Sequence, residues 1–569
     1  MFLKIFISCI LALSVSCSHG VRADIQSGSE PLPPNAERIY LEYLLGNEAE
    51  LGEKWEEAFS HYSNALAMDP ASLSLQTQVA GTLLKMGKLK EAQDMLEKIS
   101  ASNPAYVPGL MLLGELYSSQ KMTDEAIRVY TQVLKIDPEK HDAQLTLGVL
   151  YLSKGDLKSA FAVFSAVTQK DPENIMALYY MGTISIEQKD YAKAEELFKK
   201  IIEIRPSFDA AYLNLGLTNE LQGHASEAEK FYRKVLEINP HNPFARERLI
   251  QLYMGGKSFD KAIAELQSIL EGSPGNLEVH QRLGLIYLQM KEYGKAISEF
   301  KTILEAKPDD LAARYYSVLA LEELNMVPEA IDELKLILSR DPKNMTAFLH
   351  LGFLYAKQNR HAEAAKVYEE VLSFEKGKLE IYVYLGSSYI QMKEYARAES
   401  IFREGLKLFG DSDDLYFNLA VLKDKTGRFD EMVASLKRAL ELNPKNVDAL
   451  NYLGYSYADR GMRLEEALSL INKALELKPD SGYIIDSLGW VYFKLNRLDE
   501  ALTALQRALL QVKDDPVLYE HLGDVYAARG DRRKALEAWK EAIKNHEKEE
   551  GLKERVEGKV IKLEGGSSQ

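Results

Sequence analysis

A thirty-four-residue plan returns along most of the 569-residue chain and constrains its fold more tightly than any other feature. The stretch Ile175 to Phe208 sets it out. Leu178 and Met181 recur at helical spacing in its first half and Phe198 and Ile201 in its second, so each half predicts a helix with one apolar face. Gly182 in the first and Ala194 in the second leave no side chain to hold two backbones apart. Pro206 lacks an N–H and clashes with the turn before it, so it ends the pair and sends the chain into the next. The unit predicts a helical hairpin.

The period hardly slips. Proline returns at every thirty-fourth residue from Pro70 to Pro342, then at Pro444 and, one residue late, at Pro479. The alanine returns from Ala58 to Ala398, gives way to Met432, and resumes at Ala467, Ala501 and Ala535, which makes fifteen units. Glycine holds its place in eleven of them, and Ala80 and Ala420 replace it with the next smallest residue. The period, the small residues, the tyrosine three places after the glycine (Tyr117, Tyr151, Tyr287, Tyr355) and the closing proline together resemble the tetratricopeptide repeat. The resemblance covers residues 39–549 and implies an all-α, right-handed superhelical solenoid of about fifteen hairpins. Leu552, Val556 and Val560 lie four apart among charges, so residues 550–564 predict an amphipathic capping helix, with a frayed tail at 565–569.

In the resembled family the first helices line the concave side and ligands touch their second, fifth, ninth and twelfth places. Carried onto this chain, those places imply a partner-binding groove that includes Tyr179, Leu213, Leu217, Phe244, Tyr315, Phe353 and Phe417. Toward the C-terminus the groove turns aromatic and acidic, with Tyr455, Tyr483, Asp486, Trp490 and Phe493. Long apolar tracts of this kind mark protein partners, and tyrosine and tryptophan are favoured at binding hot spots. Some members of the family grip C-terminal carboxylates with paired lysines and asparagines on successive first helices. Asn214 and Asn418 stand without such neighbours, which disfavours that mode.

The formal net charge of -15 argues against a nucleic-acid surface, which needs clustered lysine and arginine. The only two cysteines, Cys9 and Cys17, precede the array, which therefore has neither a disulfide nor a thiolate metal site. The ten histidines, His350 and His521 among them, are scattered over different units, none in a ligand pair, and read as surface or helix-face residues. Gly255-Gly256-Lys257 lacks the spacing of a phosphate loop. No enzyme and no cofactor are expected.

Lys4 followed by the apolar run from Ile5 to Val15 reads as a secretory signal, too short to span a bilayer. Leu13-Ser14-Val15-Ser16-Cys17 resembles a bacterial lipoprotein box, which implies a signal peptide at 1–16 and lipidation of Cys17. Val21-Arg22-Ala23 offers the alternative, cleavage after Ala23 (signal 1–23) and a soluble periplasmic or secreted protein. If Cys17 is lipidated, Ser18 lacks the aspartate of an inner-membrane retention signal, so the outer membrane is the expected destination. Residues 17–38 are polar and read as a flexible tether.

Several irregularities predict joints. Ile250 and Val318 put bulk at the close helix contact and predict that the two helices part locally. The closing proline is missing at Lys376 and Gly410, and unit thirteen carries an extra residue near Arg460-Gly461-Met462-Arg463. The stretch from Ala449 to Leu502, with its ADRG and DSLGW segments, resembles the C-terminal repeats of bacterial outer-membrane lipoproteins that act as adaptors of periplasmic C-terminal-processing proteases. It implies a scaffold that presents partners or substrates to such a protease, with membrane contact only through the lipid anchor. A scaffold for a secretion or polysaccharide-export complex is the alternative.

Overall fold

The computed structural model describes residues 35–549 and 551–565. The expected signal peptide, Cys17, residues 17–34 of the tether and the last four residues lie outside them. Among the described residues the chain folds into thirty-one α-helices, from α1 (Ala36–Leu51) to α31 (Leu552–Gly565), with one 3-10 turn (His546–Lys548). Ala36, Glu37 and Arg38, expected in the tether, already belong to α1. The helices alternate as fifteen hairpins, so that odd-numbered helices are first helices and even-numbered ones second helices.

Hairpin five shows why these residues fold so. Asn174 Oδ1 accepts from the Ala177 N–H at 3.1 Å and caps α9 (Ile175–Glu187). Lys189 turns left-handed at φ 63°, and Asp190 then caps α10 (Tyr191–Ile204) by accepting from the Lys193 N–H at 3.1 Å. Ala194 and its equivalent in every other hairpin are 0% exposed, including Met432 at the one substituted place.

The close contact behind that burial is a matter of volume. A Cβ placed on Gly182 would lie 2.7 Å from Phe198 Cζ, because the ring sixteen residues on fills the space over the glycine. Gly46 faces Tyr62, Gly114 faces Tyr130 and Gly523 faces Trp539 in the same way. Where the first helix carries a larger residue, the second carries leucine instead of an aromatic ring: Leu96 for Ala80, Leu266 for Ile250, Leu334 for Val318, Leu436 for Ala420. All four leucines are 0% exposed, as are Ile250 and Val318. The bulk is thus met by a smaller partner side chain, which keeps the Val318 hairpin close. The two helices carrying Ile250 and Leu266, by contrast, approach closely along less of their length than those of any other hairpin, as the bulk of Ile250 predicts.

The chain divides into two compact units, the first ending at Gly272 and the second beginning at Ser273. The first holds seven hairpins, the second eight hairpins and α31. At Gly410, where proline is missing, a left-handed glycine at φ 74° ends the preceding helix instead. In hairpin thirteen the extra residue is absorbed by two left-handed positions, Gly461 at φ 67° and Arg463 at φ 47°. Helix α31 takes the place of a next first helix. Leu552 and Val556 are fully buried with Ala535, Trp539 and Ala542 of α30 (Arg532–Lys544), which covers the last apolar face.

Candidate partner-binding surface

In the first unit, Tyr179 is only 5% exposed. Its ring stands edge-on to Phe198 at 6.0 Å and to Phe208 at 5.8 Å, and its hydroxyl accepts from Asn214 Nδ2 at 3.4 Å. Burial raises its pKa. Tyr179 is therefore packed between repeats and offers a partner little surface in this state. Leu213 and Leu217 are half-buried, whereas Phe244 is 52% exposed. Asn214 also donates to the Ala210 carbonyl, so its amide is already engaged within the fold.

In the second unit, Tyr315 is half-buried, edge-on to His350 at 5.8 Å. His350 Nε2 and Lys357 Nζ each lie 2.9 Å from Glu322. Burial works against the Glu322 charge, but Lys357 and His350 outweigh it and lower its pKa. Phe353 beside them is 52% exposed, with Lys357 Nζ 5.8 Å above its ring. Phe417 is half-buried, edge-on to Tyr452 at 6.0 Å. Asn418 donates to the Asp414 carbonyl at 2.8 Å.

The C-terminal cluster is assembled around a side chain that counting groove places does not select. His521, on α29 (Pro516–Ala528), is 4% exposed. Its ring stacks on Trp490 at 4.0 Å and 18°, and its Nδ1 lies 2.9 Å from Asp486 Oδ1. Trp490, on α27 (Gly482–Lys494), stacks on Phe493 at 5.0 Å, donates from Nε1 to Asp459 Oδ1 at 3.3 Å, and is 7% exposed. Tyr455 and Phe493 are half-buried beside it, and Tyr483 stands out at 63% exposed. Burial opposes the charged imidazole, but Asp486, with Asp524 and Glu520, outweighs it and raises the pKa. A ring that is buried, stacked on Trp490 and paired with Asp486 is a structural element of the fold rather than a base open to a substrate. The expectation of a surface or helix-face histidine missed this role.

The acids of the last repeat are likewise occupied. Glu520, 4% exposed, receives Arg555 at 2.7 to 3.2 Å and Lys559 at 2.6 Å, both from α31. Lys559 also reaches Asp524 at 2.5 Å, and Trp539 Nε1 donates to Asp524 at 3.1 Å. One signal would have found these pairs. The fifth place of one first helix meets the residue thirty-five further on, which is the sixth place of the next helix in Tyr179–Asn214 and Asp486–His521 and the fourth residue of α31 in Glu520–Arg555.

Among the described residues no group of histidine, cysteine and carboxylates could hold a metal ion, and no helix is long and apolar enough to cross a membrane. Two family models described as tetratricopeptide repeat match the chain. One matches residues 52–116, 118–181, 152–216, 221–281 and 255–322, the other residues 334–552. Among curated proteins, "Hsp70-Hsp90 organizing protein 1" of Glycine max is 29% identical over 97 residues, 17% of each chain. "Protein O-mannosyl-transferase TMTC1" of Homo sapiens is 30% identical over 86 residues, 15% of this chain and 10% of that protein. The chain thus spans less than a fifth of either relative. Among solved structures, yeast Tom70 aligns at a TM-score of 0.37 and 16% identity, covering 88% of this chain and 97% of Tom70.

Proposed function

The chain belongs to the tetratricopeptide repeat family, whose arrays are protein-interaction scaffolds, and on that premise we propose that it is an adaptor of the bacterial cell envelope without catalytic activity. It holds protein partners on its first-helix faces and presents them to a periplasmic protease. One observation carries the reading. At groove places, Phe244, Phe353 and Tyr483 keep 52%, 52% and 63% of their surface open, whereas the other aromatic side chains of the hairpins, Tyr40 and Tyr384 apart, are buried or half-buried. Exposed aromatic rings on such faces are what a partner buries at the core of an interface. The lipoprotein-type box at Cys17 supports the envelope location, and the segment Ala449 to Leu502 supports the protease pathway.

The test is capture of the full-length protein from detergent-solubilised envelopes of its own host, followed by mass spectrometry and by palmitate labelling with a Cys17→Ser control. A periplasmic protease in the capture, and label lost with Cys17, are the expected results. Export-channel components without a protease would overturn the pathway, and unlabelled wild-type protein would overturn the anchor.

A further inference from the structure

From the charges left open on the second unit, we infer that the first-helix face of hairpins eleven to fourteen binds a basic segment of a partner protein, with lysine or arginine interleaved among apolar residues. The inference rests on the scaffold reading and narrows it to one chemistry.

The second place of the first helix carries Glu380 on α21 (Leu379–Gln391), Asp414 on α23 (Asp413–Lys425) and Asp448 on α25 (Val447–Asp459), then Tyr483 on α27. All four are exposed. Among the described residues no lysine or arginine closes an ion pair with any of the three carboxylates, although ion pairs are plentiful on the second helices. The like charges act on one another: burial first, then Asp413, Asp448 and Glu380, push the Asp414 carboxyl above its ordinary value. Each acid stands in the first turn of its helix, where the helix dipole offsets its charge, and the mutual repulsion along the row is relieved by an incoming cation. Tyr384, Phe417 and Tyr455 lie on the same first helices and offer partly open apolar surface to the stems and neighbours of such cations.

The end of this face shows what it accepts. At the fifth and ninth places of α29, Glu520 and Asp524 already hold two cations of an amphipathic helix, Arg555 and Lys559 four residues apart on the chain's own α31. The same helix buries Leu552 and Val556 beside those contacts. A free acidic C-terminus would instead meet like charge along the row. Neighbouring helices pack roughly 8–10 Å apart, so cations at every third residue of an extended segment match the row.

The probe is a fluorescein-labelled peptide of repeated Lys-Leu-Val, with Glu-Leu-Val as its counterpart, titrated by anisotropy against the full-length protein at low and high salt. The variants are Glu380→Gln/Asp414→Asn/Asp448→Asn and, as a charge-matched control on second helices, Glu370→Gln/Glu404→Gln/Asp430→Asn, each checked for unchanged helicity. The expected result is binding of the lysine peptide weakened about tenfold by the first triple, less than about twofold by the control, and weakened by salt. Equal loss in both triples, no loss in the first, or equal binding of the glutamate peptide overturns the inference. If the inference fails while the unmodified protein still captures envelope proteins, the scaffold reading stands. If capture fails as well, both fall.

Discussion

The volume exchange inside the hairpins makes a sharp quantitative prediction. Replacing Gly182 with alanine puts a methyl group 2.7, 2.8 and 3.0 Å from Phe198 Cζ, Cε1 and Cε2. The ring is fully buried and edge-on to Tyr179, so it has little room to withdraw. Overpacking of this kind costs about 1–3 kcal/mol, of which the better helix propensity of alanine returns about 1. Phe198→Leu alone leaves a void over the glycine and costs about 1–2 kcal/mol, below the range for deleting the whole ring. Together the two changes reproduce the Ala80–Leu96 and Ala420–Leu436 pairings that the chain already uses. The double variant is therefore expected to be more stable than the sum of the single effects by about 1–3 kcal/mol. Unfolding of a repeat array is not reliably two-state, so the assay is hydrogen exchange of amides in 175–204 of the full-length protein, supported by urea titration. Additivity within about 0.5 kcal/mol would refute the exchange as the reason for the pairing.

Gly223 sits at φ 79° with nothing within 4 Å of an added Cβ, so Gly223→Ala is expected to cost about 1 kcal/mol through the backbone alone, read as a lower urea midpoint. Because the folded pKa of His521 lies above its ordinary 6.5, its contribution is complete below that value and is lost as the pH rises through the folded one. Hydrogen-exchange protection in 482–544, corrected for the base-catalysed intrinsic rate, is therefore expected to fall as the pH rises above about 6.5, and His521→Gln to flatten that fall. Arg555→Ala leaves the buried Glu520 with Lys559 alone and is expected to destabilise the terminal hairpin by about 2 kcal/mol, less in a Glu520→Gln background. Equal losses in both backgrounds would show that Arg555 acts by packing.

The hairpins, the closing prolines and the capping helix could be read from the sequence because each is set by side chains close together in the chain. The surface was less legible. Tyr179 and Trp490 occupy groove places by position, yet they are buried because of what stands thirty-five and thirty-one residues further on: Asn214 beside Tyr179, and His521 stacked on Trp490. A single hairpin does not show whether its fifth or ninth place stays open. Ile250 and Val318 differ in this respect, because Leu266 and Leu334, the smaller side chains sixteen residues on, stand in the same hairpin and were legible in the sequence. Phe244, Phe353 and Tyr483 stay open, and their exposure could only be measured once the neighbouring repeats were in place.

The central claim is that partners are held on the first-helix faces. Its most direct test compares envelope capture by the full-length protein with capture by Phe353→Ser/Tyr483→Ser and by Leu336→Ser/Leu477→Ser. The second pair also removes exposed apolar side chains, from α18 (Val327–Arg340) and α26 (Leu464–Leu477). The account predicts that the first pair loses the captured protein at unchanged thermal stability while the second retains it. Retention by the first pair, or loss by both alike, would contradict it.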